Sequence, residues 1–182
     1  LGLEYKEQLR FDSKNRVPFA CSELFLAYAQ IPATLSSIVI MQNQLLRLIS
    51  AITEQGQNIP KSMNDAFKKG IEKSGFDEQL TKLLNDYWNN GGKYIREVRN
   101  VNEHFDALVD YTFFEFKNNI GTVLIFLPDN PETKSPKKFT YKLEKNTINV
   151  LFDGIKAINE LLSTICELKA IPKGQFQPSI IV

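Results

Sequence analysis

From Ala33 to Glu54 the apolar residues Leu35, Ile38, Val39, Leu45, Leu46, Ile49 and Ile52 recur at helical spacing. A stripe that holds this period for about six turns demands a long amphipathic helix with a covering surface along its length. The chain supplies two more stripes of the same kind. Tyr94, Ile95, Val98, Val101, Phe105, Leu108 and Val109 fall on one side of a helix at about 100° per residue. After Asn146 and Thr147, either of which can cap, Ile148, Leu151, Phe152, Ile155, Ile158, Leu162 and Ile165 form a third. Asp153-Gly154 could instead make a hairpin turn, but the sustained period outweighs one dipeptide.

Shorter helices fill the intervals. Phe19 to Gln30 is expected to form the first, with Pro32 at its break or at the start of the next. Gln55 to Pro60 reads as a loop. Ser62 is placed to cap a short helix ending near Gly70 to Gly75, and Asp77 to start another through Leu80, Leu83, Leu84 and the core anchors Tyr87 and Trp88. Asn89-Asn90-Gly91-Gly92 should end or bend that helix. After Asp110 the period changes to two. Tyr111 to Phe116 is aromatic-rich, Asn118 to Gly121 reads as a turn, and Thr122 to Leu127 is a β-branched apolar run. Beyond the polar loop Pro128 to Pro136, Lys137 to Leu143 alternates lysine and threonine against Phe139, Tyr141 and Leu143, as a third strand would. The expected fold class is mainly α. We expect a helical bundle with a small antiparallel β-meander (111–144) inserted before the last long helix, as a single domain over 1–182. Residues 1–17 make a loosely attached lead-in stopped by Pro18, and 172–182 an irregular tail.

Composition limits the chemistry. The net charge of +1 gives no global field to recruit nucleic acid or acidic membrane, so any such binding needs a local patch. At 43% hydrophobic and 24% charged residues, the chain has the make-up of a globular protein rather than a disordered one. Cys21 and Cys166 each lie among apolar residues and read as buried free thiols. With one histidine and two distant cysteines a structural zinc site has almost nothing to use, and no metal or cofactor is expected. Neither a phosphate-binding glycine loop nor a G-x-S-x-G nucleophile turn is present, and no paired carboxylates stand out. The apolar run Ile31 to Ile52 is interrupted by Gln42, Asn43, Gln44 and Arg47, so no membrane span is expected. No basic-then-apolar leader opens the chain, and the expected location is cytoplasmic.

The candidate site lies on the Tyr94–Val109 helix. Arg96, Arg99, Asn100, Glu103 and His104, the only histidine, occupy the arc opposite the apolar stripe. One face can pack while the other offers cations, an amide, a carboxylate and an imidazole. Arg99-Asn100-Val101-Asn102-Glu103-His104 resembles the signature of the HEPN superfamily, an arginine, usually followed by a polar residue such as Asn, with a histidine four to six residues on. The resemblance implies a helical bundle carrying the signature on a late, core-packed helix. It further implies metal-independent endoribonuclease activity in the competent members, many of them toxins or defence effectors. Two copies of the motif would meet across a homodimer interface to make one site. In the subgroup paired with nucleotidyltransferase antitoxins a tyrosine stands two residues after the histidine. Here that position is Asp106, so modification by that kind of partner is not expected, while an antitoxin or protein partner of another kind stays open.

Those residue types suit the reaction. Metal-free RNA cleavage needs one group to take the 2′-hydroxyl proton and one to protonate the leaving oxygen, and histidine, with an ordinary pKa of about 6.5, can do either. An arginine fork stabilises the charge that builds on the phosphate oxygens. The expected catalytic set is therefore His104 for proton transfer, Arg99 for phosphate, and Asn100 to orient the ring. Arg99 and His104 lie about 140° apart on an ideal helix, so they share a phosphate through the long arginine side chain or across a dimer. Lys93 and Arg96 on the same helix are candidates for substrate binding. So are Lys138 and Lys142, from a basic edge (Lys134, Lys137, Lys138, Lys142, Lys145) interleaved with Phe139 and Tyr141 that could hold phosphates and stack a base. Two plainer readings stand beside these. Glu103, four residues after Arg99, would account for both as an ordinary ion pair, leaving a non-catalytic helical binding module. The lysine-rich stretch would also serve as a charged edge that blocks strand pairing while its aromatics pack inward.

Overall fold

A computed structural model describes residues 14, 16–18, 22, 24–53, 60–105, 111–118 and 120–169, without the side chains of residues 104 and 105. The protein is mainly α, with helices α1 (Leu24–Ile52), α2 (Met63–Lys69), α3 (Glu78–Tyr87), α4 (Lys93–Phe105) and α5 (Thr147–Leu168). Its four strands, β1 (Arg16–Pro18), β2 (Thr112–Lys117), β3 (Ile120–Leu127) and β4 (Lys145–Asn146), form an antiparallel sheet in the order β1-β2-β3-β4. The chain divides into two compact units, residues 1–36 with 96–151 and residues 37–95 with 152–182.

In the first unit β2 and β3 make a hairpin whose last pair is Lys117 with Ile120. Asn118 takes a left-handed φ of 51°, which its short polar side chain tolerates. Residues 1–17 are not wholly a lead-in, for Arg16–Pro18 adds a short edge strand to β2. Val17 is buried there, and Arg16 donates from Nε to Glu115 at 2.8 Å and pairs with Glu144 at 3.0 Å. The hydrogen bond from Lys14, reinforced by Arg16, holds the Glu144 carboxyl below its ordinary range. Tyr28 of α1 donates its hydroxyl to buried Thr112 of β2 at 3.0 Å, tying helix to sheet.

The expected third strand over Lys137 to Leu143 does not form. Asp129 and Asn130 capture its backbone instead: Asn130 Oδ1 accepts from the Thr140 amide at 2.9 Å, and the Asp129 carboxylate accepts from the Lys142 amide at 2.7 Å and the Leu143 amide at 3.2 Å. Local side-chain acceptors thus compete successfully with a sheet ladder. The strand that pairs with β3 is the two-residue β4, after which Asn146 Oδ1 accepts from the Ile148 amide at 2.9 Å and caps α5 as its sequence suggests.

Pro32 lies inside α1 rather than at a break between two helices. A proline removes one amide donor and crowds the carbonyl four residues back. Ile31, Leu35 and Ile38 around it are all buried, and their packing outweighs that local loss. Among the described residues α1 is the one helix long and apolar enough to cross a membrane, by length and composition alone. Its polar residues nevertheless find protein partners, Gln42 in the core and Asn43 by accepting from the Met63 amide at 2.9 Å.

The second unit follows its sequence signals closely. Ser62 Oγ accepts from the Asp65 amide at 3.1 Å and starts α2, and Asp77 Oδ1 accepts from the Leu80 amide at 2.8 Å and starts α3. Trp88 is buried and stacks on Phe67 with ring centroids 4.7 Å apart. Residues Trp88–Gly92 form a wide helical turn that bends the chain into α4, with Gly91 at φ 152°, a backbone region that side chains rarely adopt. Loop 55–59, Cys21, the 172–182 tail and residues 106–110 lie outside the described residues. Cys166 is a buried free thiol.

The inner face of α5 differs from expectation. Ile158 and Ile165 are buried as expected, together with Gly154, Leu161 and Cys166, whereas Ile148, Phe152 and Ile155 are exposed. A Cβ at Gly154 would lie 2.4 Å from Ile95 Cδ1, so the glycine permits a close approach there and turns its own side of the helix inward. The larger side chains at 148, 152 and 155 are rotated outward as a result.

One contact in this unit sets a testable pH dependence. Gln42 is fully buried and its Nε2 donates to the Tyr87 hydroxyl at 2.9 Å and to the Gly92 carbonyl at 3.0 Å. Burial pushes the Tyr87 hydroxyl up to about 12 from its ordinary 10, partly offset by the bond from Gln42. A group whose folded pKa is raised stabilises the fold fully below its unfolded pKa, and that contribution is lost as pH rises through the folded value. Stability should therefore fall between pH about 10 and about 12 by up to ~3 kcal/mol. Denaturant melts of the parent should show this slope, and Tyr87→Phe should show less of it.

Candidate functional site

The apolar face of α4 is anchored by Ile95, Val98 and Val101, all buried, which leaves Arg96, Arg99, Asn100 and Glu103 on the accessible side. The structure brings the first two motif residues together, with Arg99 Nη1 donating to Asn100 Oδ1 at 3.4 Å. It also gives both arginines carboxylate partners. Arg99 Nη2 lies 2.6 Å from Glu103 Oε1, with side chains 31% and 36% exposed, and Arg96 Nη1 lies 3.0 Å from Glu97 Oε1. The ion pair between residues 99 and 103 thus forms as their spacing allows. Arg99 Nε is buried and makes no hydrogen bond.

His104 belongs to α4 by its backbone, but its ring, like Phe105 and Asp106 beyond it, lies outside the described side chains. Lys93 opens α4 and is exposed. Lys138 and Lys142 are exposed on the loop organised by Asp129 and Asn130 rather than on a strand edge. Lys137 and Lys138 lie in a short 3-10 turn, Lys134 has a left-handed φ of 51°, and Lys145 belongs to β4. The predicted ladder of lysines along one strand is therefore absent. Tyr141 stacks on Tyr111 with ring centroids 3.9 Å apart, so one of its faces is already covered. Among the described residues no group of three or more His, Cys, Asp or Glu gathers as metal ligands would.

Sequence reading did not single out Gln42, whose contacts fix the bend ahead of α4. The available signal was a polar residue on the inner stripe of α1, between Ile38 and Leu45. Compared with known proteins, the chain matches no family model, no curated protein and no solved structure.

Proposed function

We propose that this chain is a HEPN-like, metal-independent endoribonuclease that acts as a homodimer in the cytoplasm, its helices arranged as a bundle of that superfamily. The observation that carries the reading is the juxtaposition of Arg99 and Asn100 on the solvent side of a helix whose other face is core. Five residues after Arg99, the same helix carries the chain's only histidine. Arg99 binds the scissile phosphate, His104 transfers the proton, and Asn100 orients the ring. Lys93, Arg96, Lys138 and Lys142 attract the RNA backbone. Such an activity suits a toxin or defence effector held in check by a protein partner.

Arg99 and His104 are about 140° apart on an ideal helix, and in this reading each phosphate is shared by two chains rather than reached by one long arginine. The test uses two variants, Arg99→Ala and His104→Ala, each expected to be inactive on labelled RNA. An equimolar mixture allowed to exchange subunits should recover about a quarter of the parent rate. Half of its dimers are mixed, and each mixed dimer holds one intact site of two. A mixture as inactive as either variant, beside an active parent, would overturn the shared site.

The pairing of Arg99 with Glu103 favours a second reading, in which the polar face of α4 is a neutral surface of a non-catalytic binding module. That reading predicts no RNA cleavage by the parent chain and loss of partner binding in the Arg99→Ala variant.

A further inference from the structure

Resting on the ribonuclease reading, we propose that Glu103 is a built-in competitor for RNA phosphate that must release Arg99 before the site can engage its substrate. A guanidinium offers a phosphate two bidentate forks, Nε with Nη2 and Nη1 with Nη2. Nη2 belongs to both, and it is the nitrogen that Glu103 Oε1 holds at 2.6 Å. The remaining two nitrogens offer no alternative fork. Nε is buried away from solvent, and Nη1 is turned toward Asn100 Oδ1 at 3.4 Å. A phosphate can therefore grip Arg99 with two hydrogen bonds only by displacing the carboxylate. While Glu103 stays, its negative charge also repels the phosphate it blocks.

The contact is reversible by its nature. Both side chains are about a third exposed, and an i,i+4 pair of this kind is weak, so an RNA phosphate can compete for Arg99. When Glu103 lets go, Nη2 is free to form the fork with Nη1, whose 3.4 Å contact to Asn100 is long.

The test measures binding of a fluorescent 2′-O-methyl RNA oligonucleotide, which keeps the phosphates and lacks the attacking hydroxyl, by anisotropy in EDTA. The parent, Glu103→Gln, Arg99→Ala and the double variant are compared, with circular dichroism confirming that each is folded. The competitor predicts that Glu103→Gln tightens binding about three- to tenfold. It also predicts that most of this gain vanishes in the Arg99→Ala background, where only the general effect of one less negative charge remains. Equal affinities for the parent and Glu103→Gln, or equal gains in both backgrounds, would overturn the competitor while leaving the ribonuclease reading intact. No RNA binding by any of the four proteins would overturn both.

Discussion

Replacing Gln42 with alanine is expected to destabilise the protein by about 2–4 kcal/mol, even though its buried Oε1, which lacks a hydrogen-bond partner, is lost with it. The side chain is fully buried, and its single amide nitrogen serves two acceptors, the Tyr87 hydroxyl and the Gly92 carbonyl. Removing it leaves both without that donor in a place that water cannot reach, and opens a void between α1 and the wide turn at Trp88–Gly92. Tyr87→Phe removes only the hydroxyl, after which Gln42 still reaches Gly92, and should cost about 1 kcal/mol. Urea melts of the two variants measure the difference. Equal costs would mean that the hydroxyl contact, and not the bond to the Gly92 backbone, carries the effect. Gly91 adopts a φ of 152° and so depends on this scaffold to hold the bend. Loosening it should fray the start of α4 as well as lower overall stability.

How far the sequence foretold the structure depended on whether each signal was local. Ser62, Asp77 and Asn146 act as caps because a short acceptor placed next to a helix start finds a free amide wherever the rest of the chain lies. The stripe of α1 and the described part of that of α4, Ile95, Val98 and Val101, were readable because the pattern repeats turn after turn. Pro32 departs from the expected break because a local rule of helix breaking yields to the packing of Ile31, Leu35 and Ile38. Lys137 to Leu143 alternates as a strand should, yet Asp129 and Asn130, about ten residues earlier, take its amides. In α5 the apolar positions are numerous enough to define two overlapping faces, and the choice between them is made by the clearance at Gly154 against Ile95, a distance no periodicity contains. At the candidate site the spacing of Arg99 and Glu103 was enough to foresee their ion pair, whereas the contact of Arg99 with Asn100, expected to orient the His104 ring, was not foreseen. It could not foresee that Nε would be buried or that one nitrogen would serve both forks.

The second large effect concerns His104. General acid–base catalysis by a positioned side chain contributes about 10²–10⁴ in rate, and no other histidine can substitute. In the helical spacing of the sequence His104 falls outside the apolar stripe, so His104→Ala should leave folding unchanged and remove the proton-transfer group alone. Arg99, with its charge intact, should keep the variant able to bind RNA. Loss of cleavage with retained binding is therefore the expected signature, and it separates a catalytic role from a structural one.

The measurement that bears most directly on the whole account is cleavage of a labelled RNA at near-neutral pH in excess EDTA by the parent and by His104→Ala. The account predicts cutting by the parent and a rate at least about 100-fold lower for the variant. Equal cutting by both proteins, or none by either, would contradict it.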